Sequence, residues 1–394
     1  MLTVRGFRAA AVKSGIRGKD RLDLGLIVSE VPATLAGVFT RNRVAAAPVL
    51  LDRERLKSGR AQAILVNSGI ANACTGAEGM RDARMTGAMA ADALGIAGEL
   101  VQVASTGVIG MPLEVDCFRR GMPKLVAALE PAGLAQVAQA IMTTDTVPKT
   151  ASRTFTLAGA EVTIAGIAKG AGMIMPDMAT MLSFILTDAA VGREPLQAML
   201  RRAADLSFNR ITIDGDTSTN DTVLLLANGR AGNPPIDHDP ATLAVFQENL
   251  EALCRDLARQ IVRDGEGATK LVTIRVEGAA SPAEAAAAAR TIANSNLVKT
   301  AFFGEDANWG RIIAALGRSG AHFEQEKVGI AFDQVVMVAN GVGRDKAVEA
   351  QATKVLRQKE FTVTLSLQAG AATAEILTCD FSLDYVKINA DYRT

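Results

Sequence analysis

Eight short apolar segments recur along the chain, and their order constrains the fold more than any other feature. They are DLGLIVSE near residue 25, AQAILVNS at 61, ELVQVAST at 99, EVTIAGIA at 161, MLSFILTD at 181, DTVLLLAN at 221, KLVTIRVEG at 270 and FTVTLSLQ at 361. Most are apolar on both faces or alternate apolar with polar, as buried or half-buried strands do. Helical periodicity fills roughly 77 to 94, 113 to 140, 193 to 206, 240 to 263, 281 to 294 and 309 to 317. Ser281, Pro282 and Glu284 give one of these helices a capping-box start. The helices come in clusters rather than after every strand, and 151 to 157 runs into 161 to 168 through a hairpin-length turn containing Gly159. That order predicts an α+β fold, a layered α/β sandwich with mixed, largely antiparallel sheets, rather than a doubly wound parallel one.

With 49% hydrophobic residues among 394, there is apolar material for one large or two ordinary domains. Lys plus Arg and Asp plus Glu both number 42, so no net field draws in nucleic acid or an anionic membrane surface, and a small-molecule partner is expected. The opening MLTVRGFRAAAVKSGIRG lacks a signal-peptide core, and no run of about 18 apolar residues occurs anywhere. A soluble, cytoplasmic protein is expected. No phosphate-cradling glycine loop follows a strand; GEGATK and NGVGRDK are near misses only. The cysteines, Cys74, Cys117, Cys254 and Cys379, form no C-x-x-C pair, which argues against a zinc site or a disulfide framework and predicts reduced, buried thiols.

Two histidines narrow the chemistry further. His238 lies in the polar loop NPPIDHDP and His322 follows the turn GRSGAH, so neither stands in a nucleophile–base arrangement. An enzyme of this composition needs a carboxylate, a lysine or an amine as its base. The stretch AKGAGMIMPDMATMLSFILTDAA, residues 168 to 190, is glycine-rich in its first half and a core strand from Met181 onward. Between the halves stands Ala179-Thr180. A hydroxyl after a small residue, in a tight turn ahead of a strand, suits self-processing: the hydroxyl attacks the preceding carbonyl, an ester forms, and water releases a new amino terminus. The freed α-amine, with a reference pKa of about 7.7 to 8, can serve as base for its own hydroxyl. Taken alone, a glycine-rich turn entering a strand is usually structural punctuation.

Other segments accompany it in a fixed order. They are NSGIANACTG at Asn67 to Gly76, ASTGVIG at Ala104 to Gly110, TTDTVPK at Thr143 to Lys149, IDGDTSTNDT at Ile213 to Thr222, DGEGATK at Asp264 to Lys270, VKTAFFGEDANWGRI at Val298 to Ile312, and the final YVKINADYRT. With Lys169 to Leu182 they resemble the ornithine acetyltransferase family, also called glutamate N-acetyltransferase, over nearly the whole chain.

The resemblance implies cleavage between Ala179 and Thr180 into an α chain of 1–179 and a β chain of 180–394, assembled as a heterotetramer of two α and two β chains. It implies that Thr180 is the nucleophile and that Thr106 and Gly107 form the oxyanion hole. Thr146, Lys169, Thr180, Glu266, Asn389 and Thr394 match the family's substrate-binding positions, with Thr143 and Thr144 close enough to leave Thr146 open. The implied reaction moves the acetyl group of N2-acetyl-L-ornithine to L-glutamate through an acetyl-Thr180 ester, without a cofactor; acetyl-CoA as a second donor stays open. The alternative is a self-processing N-terminal-Thr aminopeptidase or amidohydrolase, with water as acceptor. Asp214, Asp216 and Asn220 lack the glycine and terminal Glu of a calcium loop, so no metal is expected, and the segment reads as an Asx and Thr turn network supporting the site. Trp309 reads as core or wall. Ile70 stands where the family usually has Asn, removing a polar group near the expected pocket.

Overall fold

A computed structural model of the chain describes residues 2–18, 20–175 and 181–391. The expected cleavage bond Ala179-Thr180 and the terminal Thr394 lie outside the described residues. The chain folds as two compact units. The first runs up to Asn209 and again over Asp216–Ile261; the second takes Arg210–Gly215 and the chain from Val262 onward. The expected division at 179/180 is one of covalent chain, and it falls inside the first unit.

The first unit is built on one eight-stranded sheet. Its strands are β1 (Phe7–Val12), β2 (Leu24–Phe39), β3 (Arg60–Ile70), β4 (Val101–Val108), β5 (Lys149–Leu157), β6 (Ala160–Lys169), β7 (Leu182–Thr187) and β8 (Thr222–Ala227). The order is β4-β3-β2-β8-β7-β6-β5, with β1 also on β2. Only β3 with β4 and β7 with β8 run parallel; the other pairs are antiparallel, including the expected β5–β6 hairpin. Its helices are α1 (Ala47–Arg55), α2 (Gly76–Leu94), α3 (Val115–Ala127), α4 (Leu134–Ala140), α5 (Arg193–Asp205) and α6 (Pro240–Arg263), which leaves this unit at Ile261.

Both sheet faces are covered, and β2 shows why its sequence is apolar throughout. Leu24, Leu26 and Val28 pack in a cluster with Ala83 and Ala90 of α2 and Phe118 and Leu125 of α3. The alternate residues Ile27, Ala33 and Leu35 join a second cluster with Leu134 and Val137 of α4. Each of the larger side chains, Leu, Ile, Val or Phe, contributes about 1.5–3 kcal/mol when removed from water. Ile70 belongs to the first cluster and is buried, and its backbone pairs with Thr106 and Val108 of β4.

The single helix expected over 113–140 is two. Glu130 and Ala9 exchange backbone hydrogen bonds at 2.9 and 3.1 Å, and a Cβ on Gly133 would stand 1.8 Å from the Ala9 carbonyl oxygen. Pro131 lacks the N–H a continuous helix needs, so the chain breaks here and restarts as α4.

The second unit carries a six-stranded sheet in the order β12-β11-β10-β13-β9-β14. The strands are β9 (Leu271–Ala279), β10 (Gly329–Phe332), β11 (Val335–Ala339), β12 (Val342–Gly343), β13 (Glu360–Ser366) and β14 (Ala372–Cys379). The helices are α7 (Pro282–Ala293), α8 (Asn296–Phe303), α9 (Trp309–Gly317), α10 (Lys346–Leu356) and α11 (Leu383–Asp391). Val272, Ile274 and Val276 of β9 and Phe361, Val363 and Leu365 of β13 face a core filled by the alanines of α7. The expected cap is present: the Ser281 hydroxyl accepts from the Glu284 N–H at 3.2 Å. Trp309 packs partly buried on this core. Cys117, Cys254 and Cys379 are buried free thiols as expected, but Cys74 is exposed at the end of the otherwise largely buried NSGIANACTG segment.

Candidate active site

Thr106 and Gly107 lie near the end of β4, beside the end of β3. Gly69 and Gly107 are register partners, and the two backbones come so close that a Cβ on Gly107 would stand 2.2 Å from the Gly69 carbonyl carbon. With φ at +132°, only glycine fits there. These strand ends are tied down by buried side chains. Asn67 Nδ2 donates to the Ile70 carbonyl at 2.9 Å, and Ser68 Oγ donates to the Ala140 carbonyl at 2.6 Å. Asn220 Nδ2 bridges the carbonyls of Ala71 at 2.6 Å and Ser105 at 2.8 Å. The Asp-rich segment thus supplies a polar scaffold around β4, in agreement with its reading as a supporting network.

Lys169 is the last residue of β6, paired in register with Leu182 at the start of β7. Its Nζ donates to Thr106 Oγ1 at 3.4 Å. An ammonium has only hydrogens to offer, so the Thr106 hydroxyl accepts here and its own hydrogen points elsewhere. A cation beside a hydroxyl and a glycine whose backbone is held in a fixed, unusual conformation is an arrangement suited to a developing oxyanion.

Behind Lys169 lies Asp145, in the TTDTVPK segment. One carboxyl oxygen accepts from Lys149 Nζ at 2.5 Å and the Gly170 N–H at 2.7 Å; the other accepts from the Thr143 N–H at 2.9 Å. Burial alone would push this carboxyl up, but the charges of Lys169 and Lys149 and these hydrogen bonds outweigh it and hold it at about 2. Asp145 is therefore ionised at any working pH. The neighbouring Thr146 is exposed.

A second buried carboxyl, Asp221, behaves in the opposite way. Burial pushes it well above the usual range, against hydrogen bonds from the Thr40 and Ser218 hydroxyls and the Met181 backbone N–H and the charge of Lys169.

In the second unit Asn389 of α11 donates through Nδ2 to Glu266 at 2.7 Å, and Glu266 is buried. The DGEGATK loop is fastened to this end of the chain. Ser382 Oγ donates to the Gly267 carbonyl at 2.6 Å, and Asp380 accepts from the N–H groups of Thr269 and Lys270. The structure thus joins Glu266 to Asn389 within one unit and Lys169 to Thr106 within the other. Among the described residues no group of His, Cys, Asp and Glu side chains could hold a metal ion, and no helix is long and apolar enough to cross a membrane.

Asn220 belongs to the turn network read from the sequence, whereas Asp145 and Asp221 did not stand out there, although both lie inside the ordered motifs.

Residues 8–394 match the model of the ArgJ family. The chain belongs to the ArgJ family. The arginine biosynthesis bifunctional protein ArgJ of Geobacter sulfurreducens is 56% identical over 393 residues, covering all of both chains. That of Desulfotalea psychrophila is 54% identical over the same coverage. Among solved structures, the arginine biosynthesis bifunctional protein argJ of Bacillus halodurans superposes with a TM-score of 0.52 at 44% identity, over 54% of this chain and 100% of that one. The layered, largely antiparallel architecture is therefore the fold of an ArgJ chain.

Proposed function

We propose that this ArgJ chain is an acetyltransferase of arginine biosynthesis, carrying the acetyl group of N2-acetyl-L-ornithine to L-glutamate through an ester on Thr180. The family match along residues 8–394 carries this reading. We further read the protein as cytoplasmic, self-cleaved at Ala179-Thr180 and assembled from two α and two β chains, as the resemblance implies. The Bacillus halodurans chain, matched whole by 54% of this one, has about the length of the part beyond Ala179, which supports the cut.

In this mechanism the Thr180 amine takes the proton of its own hydroxyl, and Oγ attacks the acetyl carbonyl. The Thr106 hydroxyl and the Gly107 N–H hold the negative charge that forms on the carbonyl oxygen. Lys169 supports that role by occupying the acceptor side of Thr106 Oγ1. The C–N bond breaks, ornithine departs with the proton, and the acetyl group remains on Thr180. The glutamate amine then attacks the ester and Thr180 recovers its proton. Thr146, Glu266, Asn389 and Thr394 are assigned with Lys169 to the carboxylate and amines of the substrates; the hydrogen bond between Glu266 and Asn389 supports a shared role for those two.

Purified protein supplied with N-acetylornithine and glutamate should yield N-acetylglutamate. A cleaved enzyme that releases acetate and never acetylates glutamate would favour the hydrolase instead. Comparing rates with N-acetylornithine and with acetyl-CoA as donors reads the second donor directly.

A further inference from the structure

Acyl transfer as described leaves the buried carboxyl of Asp221 without a task. Asp221 is 3% exposed, and its carboxyl takes the backbone N–H of Met181, the residue that follows Thr180 in the chain. The next residue, Thr222, donates its own N–H to the Met181 carbonyl at 3.0 Å. Two consecutive residues entering β8 therefore grip the Met181 residue from both of its backbone polar groups.

The grip is itself braced. Thr40 Oγ1 and the Ser218 hydroxyl both bond the Asp221 carboxyl. Thr40 Oγ1 also lies 2.8 Å from the Ser218 carbonyl oxygen and accepts from the Asn42 N–H at 3.1 Å, and the Thr40 N–H donates to the Asp221 carbonyl at 3.0 Å. Few side chains could move Met181 without breaking this cluster. Asp145 makes the analogous contact at Gly170, on the other side of the expected cut. After cleavage only Asp221 remains on the chain that begins with Thr180.

We propose that Asp221 is a positioning residue for the nucleophile: by clamping the Met181 amide it fixes where Thr180 can stand, first for self-cleavage and then for acyl transfer. This rests on the reading of Thr180 as nucleophile. Asp221 touches no reacting atom. Its work is geometric, and a displacement of about 1 Å at a nucleophile can cost roughly 10²-fold in rate.

The experiment compares wild type, Asp221→Ala and Asp221→Asn by intact mass over time after expression, and then by kcat and KM for N-acetylornithine on the mature fraction, with thermal melting as the check on folding. The carboxamide can still accept from Met181 and donate to a hydroxyl. Asp221→Asn should therefore cleave and turn over within about threefold of wild type, while Asp221→Ala should cleave slowly and lose about 10²-fold in kcat with little change in KM. A folded Asp221→Ala that matures and turns over like wild type overturns the proposal. So does an Asp221→Asn as impaired as Asp221→Ala, since charge rather than grip would then matter. If Asp221→Ala does not fold, Thr40→Val removes one brace; kcat should fall with KM unmoved, and an unchanged kcat overturns the proposal. A wild type that stays uncut and inactive sinks the Thr180 reading itself, whereas a cut wild type with an indifferent Asp221→Ala sinks only this inference.

Discussion

Thr106 and Asp145 show how differently one lysine can act on its two neighbours. Toward Thr106, Lys169 is a donor that turns the hydroxyl hydrogen outward. Replacing Thr106 by Val keeps the shape and removes that hydrogen, so kcat should drop by about 10² to 10³ with KM nearly constant; steady-state kinetics on the mature enzyme reads this. Toward Asp145, Lys169 is a stabilising charge. Because the folded-state value of Asp145, about 2, lies below its unfolded one, its contribution to stability is present above about pH 4 and is lost as pH falls through the folded value. Asp145→Asn should destabilise the protein by about 3 kcal/mol at pH 7, since it leaves buried Lys149 without its counter-charge, and its melting temperature should converge on that of wild type as the pH is lowered from 4 toward 2. A deficit that persisted undiminished to pH 2 would contradict the ion-pair account. At this scale the ordered motifs named Thr106 and Lys169. They did not reveal Asp145 or Asp221, because burial is decided by segments distant in sequence, and an Asp in TTDTVPK or IDGDTSTNDT reads as a turn residue until its neighbours are known.

Elements were legible wherever periodicity ran long. The segments beginning near 25, 61, 99, 161, 181, 221, 270 and 361 are all strands, and α2, α5, α6, α7 and α9 lie where the 3.6-residue pattern placed them. The missed elements are shorter or more polar: β1, β10, β11, β12 and β14, with α1, α8, α10 and α11. The split between α3 and α4 was hidden because its cause, the bridge between Ala9 and Glu130, joins residues far apart in the sequence. The ends of β3 and β4 depend on a contact of the same kind. Asn220 satisfies two buried carbonyls there, so Asn220→Ala should cost about 2–3 kcal/mol in denaturant unfolding and should lower kcat by loosening the Thr106–Gly107 turn. Loss of stability with an intact kcat would separate the scaffold from the oxyanion site.

Across the first unit, the strand order places β8 and β7 between β2 on one side and β6 on the other. The former two lie after the expected cut and the latter two before it. The α and β chains should therefore co-elute as one species in native size exclusion and part only in denaturant; separation under native conditions would contradict this strand order. Pairing β2 with β8 and β6 with β7 joins strands from both sides of Ala179-Thr180, so under the proposed cleavage the two products share one sheet. Cleavage at the proposed bond would erase a piece of folding information: the covalent link that holds four strands in one search would be gone once it had done its work. Refolding of the uncut Thr180→Ala protein should be independent of concentration up to the formation of this sheet, while the denatured mature protein should recover at a rate that rises with concentration, as any two-body encounter does.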